Sequence, residues 1–218
     1  LPEESDNYEI GYRSIGANSH MEIVGFYTDY ENLNETCNIA SGCADASQDQ
    51  KSAGEAHAQG IEFLYRVNNL FAAPRMKCAA NTGSGARYPM ILAVTLQEAE
   101  HDVTTDTSFV DGARIKYTPE EIYYLSLGME TNSWDMNISV KYNDDVNNTG
   151  KANPITTESA WIYDFRSGMS LDGIGMQVGR AFLNVDNLFD KQYIASAHNY
   201  GVRPNNPRSI MAGVSSDF

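Results

Sequence analysis

Long apolar runs are missing from this sequence, and tryptophan is rare. No stretch approaches the roughly 18 consecutive apolar residues that a membrane-spanning helix requires. Only 2 Trp are present, but 13 Tyr and 8 Phe bring the aromatic share to 11%. Apolar content of this kind, carried by rings and β-branched side chains, favours strands over helices. If the protein lies in a membrane, it must cross as a closed barrel, in which every backbone polar group is satisfied.

Positive charge is also scarce. The chain has 15 Lys and Arg against 29 Asp and Glu, which gives a formal net charge of −14 and a pI near 4.5. A surface of this sign repels nucleic-acid phosphates, so nucleic acid is excluded as a partner. The acidic balance fits polar loops and a hydrated lumen, but many secreted proteins share it, so it does not decide the fold.

Cysteine is limited to Cys37, Cys43 and Cys78. The first two bracket a short polar segment with a glycine, and in an oxidising compartment this spacing favours a Cys37–Cys43 disulfide. The alternative is a zinc site, which the spacing supports poorly because partner ligands are missing. Cys78 is then left as a free thiol. We predict no metal ligands and no cofactor.

The first residues, LPEESDNYEIGYR, lack the positively charged start and apolar run of a signal peptide. An exported protein has such a leader in its precursor. Either the leader has been removed or the chain starts in the middle of a longer one, and we favour the second interpretation.

Apolar and polar residues alternate along much of the chain. In residues 134–142 the apolar set is Trp134, Met136, Ile138, Val140 and Tyr142, and the polar set is Asp135, Asn137, Ser139 and Lys141. Residues 123–130 repeat the pattern, and residues 131–133 form a tight turn between the two segments. This alternation predicts strands with one apolar and one polar face.

The same pattern predicts about nine strands, with boundaries uncertain by a few residues. They lie near residues 7–14, 20–33, 54–66, 88–98, 121–130, 133–142, 159–170, 175–187 and 207–218. Tight turns at 16–19, 131–133 and 171–173 alternate with long polar connections at 34–53, 99–120, 143–158 and 188–206. Short turns at one end and long loops at the other are typical of outer-membrane barrels. The long connection at 67–87 does not fit this rule.

A soluble β-sandwich is the competing all-β fold. Sandwich strands usually have about five or six residues, whereas several apolar faces here extend over the nine or more residues that a tilted membrane strand needs. Aromatic residues also lie near strand ends, where interfacial girdles require them. These are Tyr8, Trp134, Tyr142, Trp161 and Phe218. We therefore predict an all-β fold, an antiparallel transmembrane β-barrel.

The last strands carry the most specific motifs. Phe182-Leu-Asn-Val-Asp-Asn-Leu-Phe-Asp-Lys-Gln-Tyr193 resembles the "V-x-N-L-F-D-x-x-Y" penultimate-strand motif of TonB-dependent receptors. Arg203-Pro-Asn-Asn-Pro-Arg-Ser209 resembles the family's "G-x-P-R" approach to the final strand, and Phe218 resembles its C-terminal assembly signal. In physical terms Asn187 and Asp190 can bond backbone groups at a strand end, and Tyr193 can sit at a membrane interface.

The resemblance extends upstream in the order of the family's strands. Residues 2–12 are similar to its "P-E-x-S-x-x-Y-E-x-G" strand, residues 60–62 to its "G-x-E" strand, and residues 116–121 to its "P-x-x-P-E-H" segment, with Glu121 in place of His. Family barrels have roughly 22 strands around an N-terminal plug. The resemblance therefore implies that residues 1–218 are the C-terminal part of the barrel, with the plug and earlier strands outside this chain.

The implied function is import of a ferric chelate across the bacterial outer membrane. The partners would be the chelate, outer-membrane lipid, and the TonB complex, which would be reached through the N-terminal segment that this chain lacks. The segment around residues 30–43 is similar to receptors for ferric dicitrate. The lumen-facing residues would be Glu9, Arg13, Glu62, Arg66, Asp135, Lys141, Asp164 and Arg166.

A ferric chelate carries net negative charge, so we looked for cationic and hydrogen-bonding groups in the long loops. The candidate substrate-binding residues are His101, Arg114, Lys116, His198 and Arg203. The alternative for each is a solvated loop charge or a loop-packing group.

No hydrolase elbow, zinc-protease helix, Walker loop or Rossmann glycine pattern occurs, so we predict no catalytic residues and no enzyme. A passive porin or a binding scaffold remains the alternative function.

Overall fold

The chain forms an all-β antiparallel structure. A computed structural model describes residues 2–37, 49–72, 85–104, 110–148, 156–171, 179–198 and 201–216. Its strands are β1 Glu4–Ile15, β2 Ser19–Cys37, β3 Asp49–Val67, β4 Met90–Thr104, β5 Glu121–Glu130, β6 Trp134–Asn143, β7 Ala160–Ser170, β8 Gly179–Asp186, β9 Ile194–His198, β10 Gly201–Pro204 and β11 Ser209–Ser216. A short 3-10 helix covers Leu70–Ala72. The described part of the chain contains no helix long and apolar enough to cross a membrane.

Nine strands form one sheet in the order β1-β2-β3-β4-β5-β6-β7-β8-β11, and each neighbour pair is antiparallel. All nine predicted strands are confirmed. Strands β2 and β3 are longer than predicted, at 19 residues each, because their polar outer ends still pair with each other and gave no alternating signal. Strands β1 and β11 are the two edges of the described sheet, so the barrel is not closed by these residues alone.

Strands β9 and β10 form a separate two-stranded hairpin. The sequence predicted a loop over residues 188–206, so the prediction missed this hairpin. With five and four residues, the two strands are too short to show alternation.

Cross-strand register places most of the apolar side chains of the nine strands on one face. One row across the sheet consists of Ile10, Gly25, Ile61 and Leu96, and another of Leu92, Leu125, Val140 and Tyr163. Many of these side chains are exposed. Buried apolar residues of the described chain are few and mostly small, namely Ala53, Ala56, Val67, Ala99, Ala160, Leu171, Val185 and Ala197. A sandwich would bury this face against a second sheet.

Aromatic rings cluster at one edge of the apolar face. Tyr123, Tyr142 and Trp161 are register partners on β5, β6 and β7. Their ring centroids are 5.5 Å apart for Tyr123 and Tyr142 and 4.7 Å apart for Tyr142 and Trp161. These rings lie where the strands meet the long loops, as the girdle prediction required.

The opposite face is polar and cross-linked by ion pairs. It carries all eight predicted lumen-facing residues, Glu9, Arg13, Glu62, Arg66, Asp135, Lys141, Asp164 and Arg166. Arg13 pairs with Glu22, and Arg180 on β8 reaches over β7 to Asp135 on β6. Gly168 makes this reach possible, because a Cβ at that position would collide with the Arg180 guanidinium. The register is continuous through β8, which places Arg180 on the polar face.

The ends of the long 67–87 connection pack against neighbouring turns. Asn68 donates its N–H to the Asn18 carbonyl at 2.9 Å, and Asn18 Nδ2 donates to the Asn69 carbonyl at 2.9 Å. Phe71 contacts Tyr88 edge to face, with ring centroids 4.8 Å apart. Residues 73–84 lie outside the described part of the chain. The connection therefore begins at the short-turn end of the sheet, as strand parity requires.

The same added charge should cost more stability on the apolar face than on the polar face. Ile138 is 42% exposed at the middle of β6 on the apolar face. Ile138→Arg should lower the free energy of unfolding in lipid vesicles by about 2–4 kcal/mol, because the guanidinium would enter hydrocarbon. Ser139→Arg is the matched control, since Ser139 lies on the polar face opposite Asp164, and we expect a loss below about 1 kcal/mol. Urea titrations measure both, and equal losses would contradict the face assignment.

Candidate ligand-binding loops

The connection between β4 and β5 folds back onto the end of β4. His101 N–H donates to the Ala113 carbonyl at 3.0 Å, and Gly112 N–H donates to the His101 carbonyl at 2.7 Å. Ile115 N–H donates to the Ala99 carbonyl at 2.8 Å. An isolated β-bridge between Glu100 and Arg114 adds to these bonds. Residues 112–115 of this loop therefore extend the sheet at its long-loop end.

Arg114 ties this loop to the next one. Its Nε lies 2.8 Å from Glu120 Oε1, and its Nη1 lies 3.2 Å from Asp145 Oδ2. Its Nη2 also donates to the Asp145 carbonyl at 3.0 Å. The Arg114 side chain is 23% exposed. Two carboxylates thus neutralise a guanidinium that the sequence had suggested as a ligand contact, and the arrangement matches the loop-packing alternative.

Polar side chains of the β6–β7 loop complete this junction. Asn147 Nδ2 donates to the Arg114 carbonyl at 3.2 Å, and Tyr117 N–H donates to the Asn147 carbonyl at 2.8 Å. Val146 and Thr157 exchange two hydrogen bonds of 3.0 and 3.1 Å across the same loop. Asn147, Asn148 and Thr157 are buried. We call the residues Arg114, Glu120, Asp145 and Asn147 the Arg114 cluster.

The other four predicted substrate-binding residues occupy two places. His101 is only 1% exposed and lies at the base of the β4–β5 loop, while Lys116 follows the Arg114 cluster in the same loop and is half-buried. His198 and Arg203 lie on the hairpin of β9 and β10, opposite Gly201 and Ser196 in register. Arg203 is exposed. The structure thus brings His101, Arg114 and Lys116 together in one loop and places Arg203 and His198 on another.

The base of this hairpin is held by the penultimate-strand motif. Asn187 is buried with φ 51°, and its Nδ2 donates to the carbonyls of Lys191 and Asn206 at 2.9 and 3.1 Å. Its Oδ1 accepts from Lys191 N–H at 2.8 Å. Asp190 Oδ1 accepts from Arg208 N–H at 2.9 Å. The predicted strand-end role of Asn187 and Asp190 is confirmed.

Sequence reasoning missed Asn205, which completes this base. Its Oδ1 accepts from Tyr193 N–H at 2.9 Å, and its Nδ2 donates to the Lys191 carbonyl at 2.8 Å. The Pro-Asn-Asn-Pro sequence around it was a turn signal that could have identified it.

A cavity of about 500 Å³ opens beside this base on the polar face. Two carboxylates, Asp164 and Asp186, lie in its wall together with the Tyr193 phenol. The full lining is Ile162, Asp164, Asp186, Asn187, Tyr193, Asn205, Asn206, Pro207, Arg208 and Ser209. Arg166 Nη2 approaches Asp186 Oδ1 at 4.0 Å. The cavity offers acceptors, amide donors and nearly balanced charge to a polar ligand.

Several sequence predictions fall outside the described part of the chain. They are the Cys37–Cys43 disulfide, because Cys43 and the Cys37 side chain are not described, the free thiol of Cys78, and the terminal Phe218. Over the described residues, no group of three or more His, Cys, Asp or Glu side chains could hold a metal ion.

The chain matches one protein family over most of its length. The family model "TonB dependent receptor-like, beta-barrel" covers residues 1–188. A comparison with curated protein sequences gives no significant match.

Solved structures share the fold. The chain is similar to the ferric-catecholate import receptor Fiu of Escherichia coli K12, with a TM-score of 0.71, 22% identity and coverage of 100% of this chain and 28% of that one. It is similar to the ferric yersiniabactin uptake receptor FyuA of Yersinia pestis, with a TM-score of 0.73, 19% identity and coverage of 99% of this chain and 30% of that one. It is also similar to the ferric citrate transporter FecA, with a TM-score of 0.72, 15% identity and coverage of 98% of this chain and 31% of that one. The chain therefore spans about a third or less of the length of these structures.

Asn187 provides a test of the hairpin base. Asn187→Ala removes three hydrogen bonds and replaces Asn, which tolerates positive φ, with Ala, which tolerates it less well, so it should lower the free energy of unfolding by about 2–4 kcal/mol. Asn187→Gly removes the same bonds but tolerates the backbone angle, so it should cost about 1 kcal/mol less. Urea titration gives both values, and limited proteolysis should show faster cleavage between residues 187 and 208. Unchanged proteolysis in both variants would contradict the assigned role.

Asp111 provides a pH test of the β4–β5 loop. Hydrogen bonds from the backbone N–H and the hydroxyl of Thr104, both 2.8 Å, lower the pKa of the Asp111 carboxyl. A lowered folded-state pKa stabilises the loop above the unfolded value of about 4 and loses that effect as pH falls through the folded value. Hydrogen-exchange protection of the Thr104 amide should therefore drop below about pH 4. In Asp111→Asn this drop should vanish, and an identical drop would rule out the carboxylate as its cause.

Proposed function

Because the chain belongs to the TonB-dependent receptor family of bacterial outer-membrane proteins, we propose that it is the C-terminal part of a receptor that imports a ferric chelate into the periplasm. The observation that carries the proposal is the nine-stranded sheet, apolar on one face and polar on the other, with folded loops at one end. Such a sheet forms the wall of a membrane barrel and one side of its external vestibule.

In the proposed mechanism this chain supplies barrel wall and loops. The chelate binds in the external vestibule, where residues 110–120 of the β4–β5 loop and the hairpin of β9 and β10 face incoming ligand. Arg203, Lys116 and His198 are the proposed contacts, while His101 and Arg114 support the loop from below. The polar face lies against a plug formed by another part of the protein. Binding makes the plug present its TonB box, and energy from the inner membrane then releases the chelate.

Iron is the cargo that Fiu, FyuA and FecA support. Their names describe receptors or transporters of ferric complexes, although the copper transporter OprC shares the fold at a TM-score of 0.69. Ferric dicitrate is the specific cargo that the resemblance of residues 30–43 points to, and residues 38–43 of that segment lie outside the described part of the chain. A passive porin is the rival function, and it requires no energy source.

Uptake of radioactive iron tests the proposal. The full-length receptor should be expressed in iron-starved cells that lack their own receptors, with and without a working TonB complex. We expect accumulation of the ferric chelate only when TonB is present. Equal accumulation without TonB would favour a passive pore, and no accumulation of any iron or copper chelate would reject import.

A further inference from the structure

A groove of about 510 Å³ lies on the apolar face, over β2 and between β1 and β3. Its lining includes two consecutive rows of that face, with Ile10, Gly25 and Ile61 in one row and Tyr8, Tyr27 and Gln59 in the next. The groove therefore opens toward the membrane and not into the barrel. In an outer-membrane protein this face meets lipid, so a lipid chain is what can enter the groove.

Gly25 forms the floor of the groove, between the exposed side chains of Ile10 and Ile61. Packing does not require glycine there, because a Cβ would lie 3.8 Å from Ile10 Cγ2 and 4.0 Å from the Gly60 carbonyl oxygen, which are ordinary contacts. Gly60 differs, since a Cβ there would lie 2.5 Å from the Leu96 carbonyl oxygen. A glycine inside a strand weakens the strand and often marks the close approach of a ligand. The notch at Gly25 is therefore a space that the neighbouring residues leave open.

Hydrogen-bonding groups border the outer end of the groove. Tyr8 and Tyr27 are register partners, and phenols of this kind take positions at the membrane interface. Gln59 pairs with Tyr27 in register and donates its Nε2 to Glu98 at 3.0 Å, so its amide oxygen remains an acceptor. The notch at Gly25 thus begins one row below the interface, at the depth where the acyl chain of a lipid joins its headgroup.

The next row outward on the same face contains the opposed carboxylates of Asp6 and Asp29. Carboxylates accept hydrogen bonds from hydroxyl groups, and a sugar headgroup offers many hydroxyls where a glycerophospholipid offers few. The long loops of such barrels face outward, which places the groove in the outer leaflet.

We propose that the groove is a binding site for one acyl chain of an outer-leaflet glycolipid. The chain lies in the notch at Gly25, the Tyr8 and Tyr27 phenols donate to its acyl carbonyl groups, and the sugar hydroxyls donate to Asp6 and Asp29. The inference rests on membership of the outer-membrane receptor family and not on the cargo that the receptor imports.

Filling the notch tests the proposal on the full-length receptor. The receptor is extracted from outer membranes and washed in detergent with Mg²⁺, which screens glycolipid phosphates from the carboxylates, and native mass spectrometry identifies the lipids that remain bound. We expect the unaltered receptor to retain one glycolipid and Gly25→Leu to retain about tenfold less, because the leucine side chain occupies the place of the acyl chain. Ala212→Leu is the matched control, since it adds the same side chain to the apolar face on β11, and it should retain as much as the unaltered receptor.

Three outcomes would overturn the proposal. They are equal glycolipid retention in Gly25→Leu and Ala212→Leu, absence of bound glycolipid from the unaltered receptor, and retention of a phospholipid in its place. A urea titration of both variants accompanies the measurement. Because the Cβ at Gly25 meets only ordinary contacts, we expect both variants to unfold at the same urea concentration as the unaltered receptor.

A second set of variants tests the contacts at the outer end of the groove. Tyr8→Phe with Tyr27→Phe keeps both rings and removes both hydroxyl groups, so glycolipid retention should fall by about threefold to tenfold. Tyr65→Phe is the control, because Tyr65 lies on the same face but pairs with Met21 and Leu92, away from the groove. It should leave retention unchanged. Equal retention in the double variant and in Tyr65→Phe would overturn the phenol contacts and, with them, the assignment of a glycolipid.

Discussion

The ladder of backbone hydrogen bonds between antiparallel strands is the constraint on which the rest of the structure depends. In hydrocarbon no water can satisfy an N–H or C=O group, so every membrane-crossing residue needs a strand neighbour on each side. The ladder fixes register, and register fixes faces, since a shift of one residue would turn every side chain to the opposite side. The rows from Ile10 to Leu96 and from Leu92 to Tyr163 stay apolar because the register is continuous through them, and the shifts in β2–β3 and β3–β4 pairing fall beyond these rows, near Leu33 and Glu55.

Register also limits what the polar face can contain. Glu130 and Asp135 lie directly opposite each other on β5 and β6, a like-charge pair that alone would be destabilising. Arg87 reaches Glu130 at 2.8 Å, and Arg180 reaches Asp135 from two strands away. The second pairing depends on Gly168, whose missing side chain leaves the path across β7 open. Ion pairs that cross a strand thus join neighbours that backbone bonds do not connect directly.

Alternation let the sequence predict nine strands and their faces, and the penultimate-strand motif let it predict the strand-end role of Asn187, because each depends on local sequence. The Arg114 cluster could not be predicted in this way. Its members Arg114, Glu120, Asp145 and Asn147 come from two loops, and their meeting depends on how each loop folds over its strands. A solvated cation and one held by two carboxylates look the same in a sequence. The hairpin of β9 and β10 was missed for a related reason, since four or five residues are too few to establish a period.

The outer ends of β2, β3 and β4 show where the apolar environment stops. Towards the loops, the row of Ile10, Gly25, Ile61 and Leu96 is followed on the same face by two more polar rows. The middle row consists of Tyr8, Tyr27, Gln59 and Glu98. The outermost row consists of Asp6, Asp29, His57 and Glu100. Phenols in the middle row suit a membrane interface, where the ring stays in lipid and the hydroxyl in water. Two opposed aspartates in the outermost row require water, and His57 in the same row bonds Asp102 at 2.8 Å. These strands therefore continue beyond the membrane as a solvated wall, and that extra length is what raises the β4–β5 loop above the lipid surface.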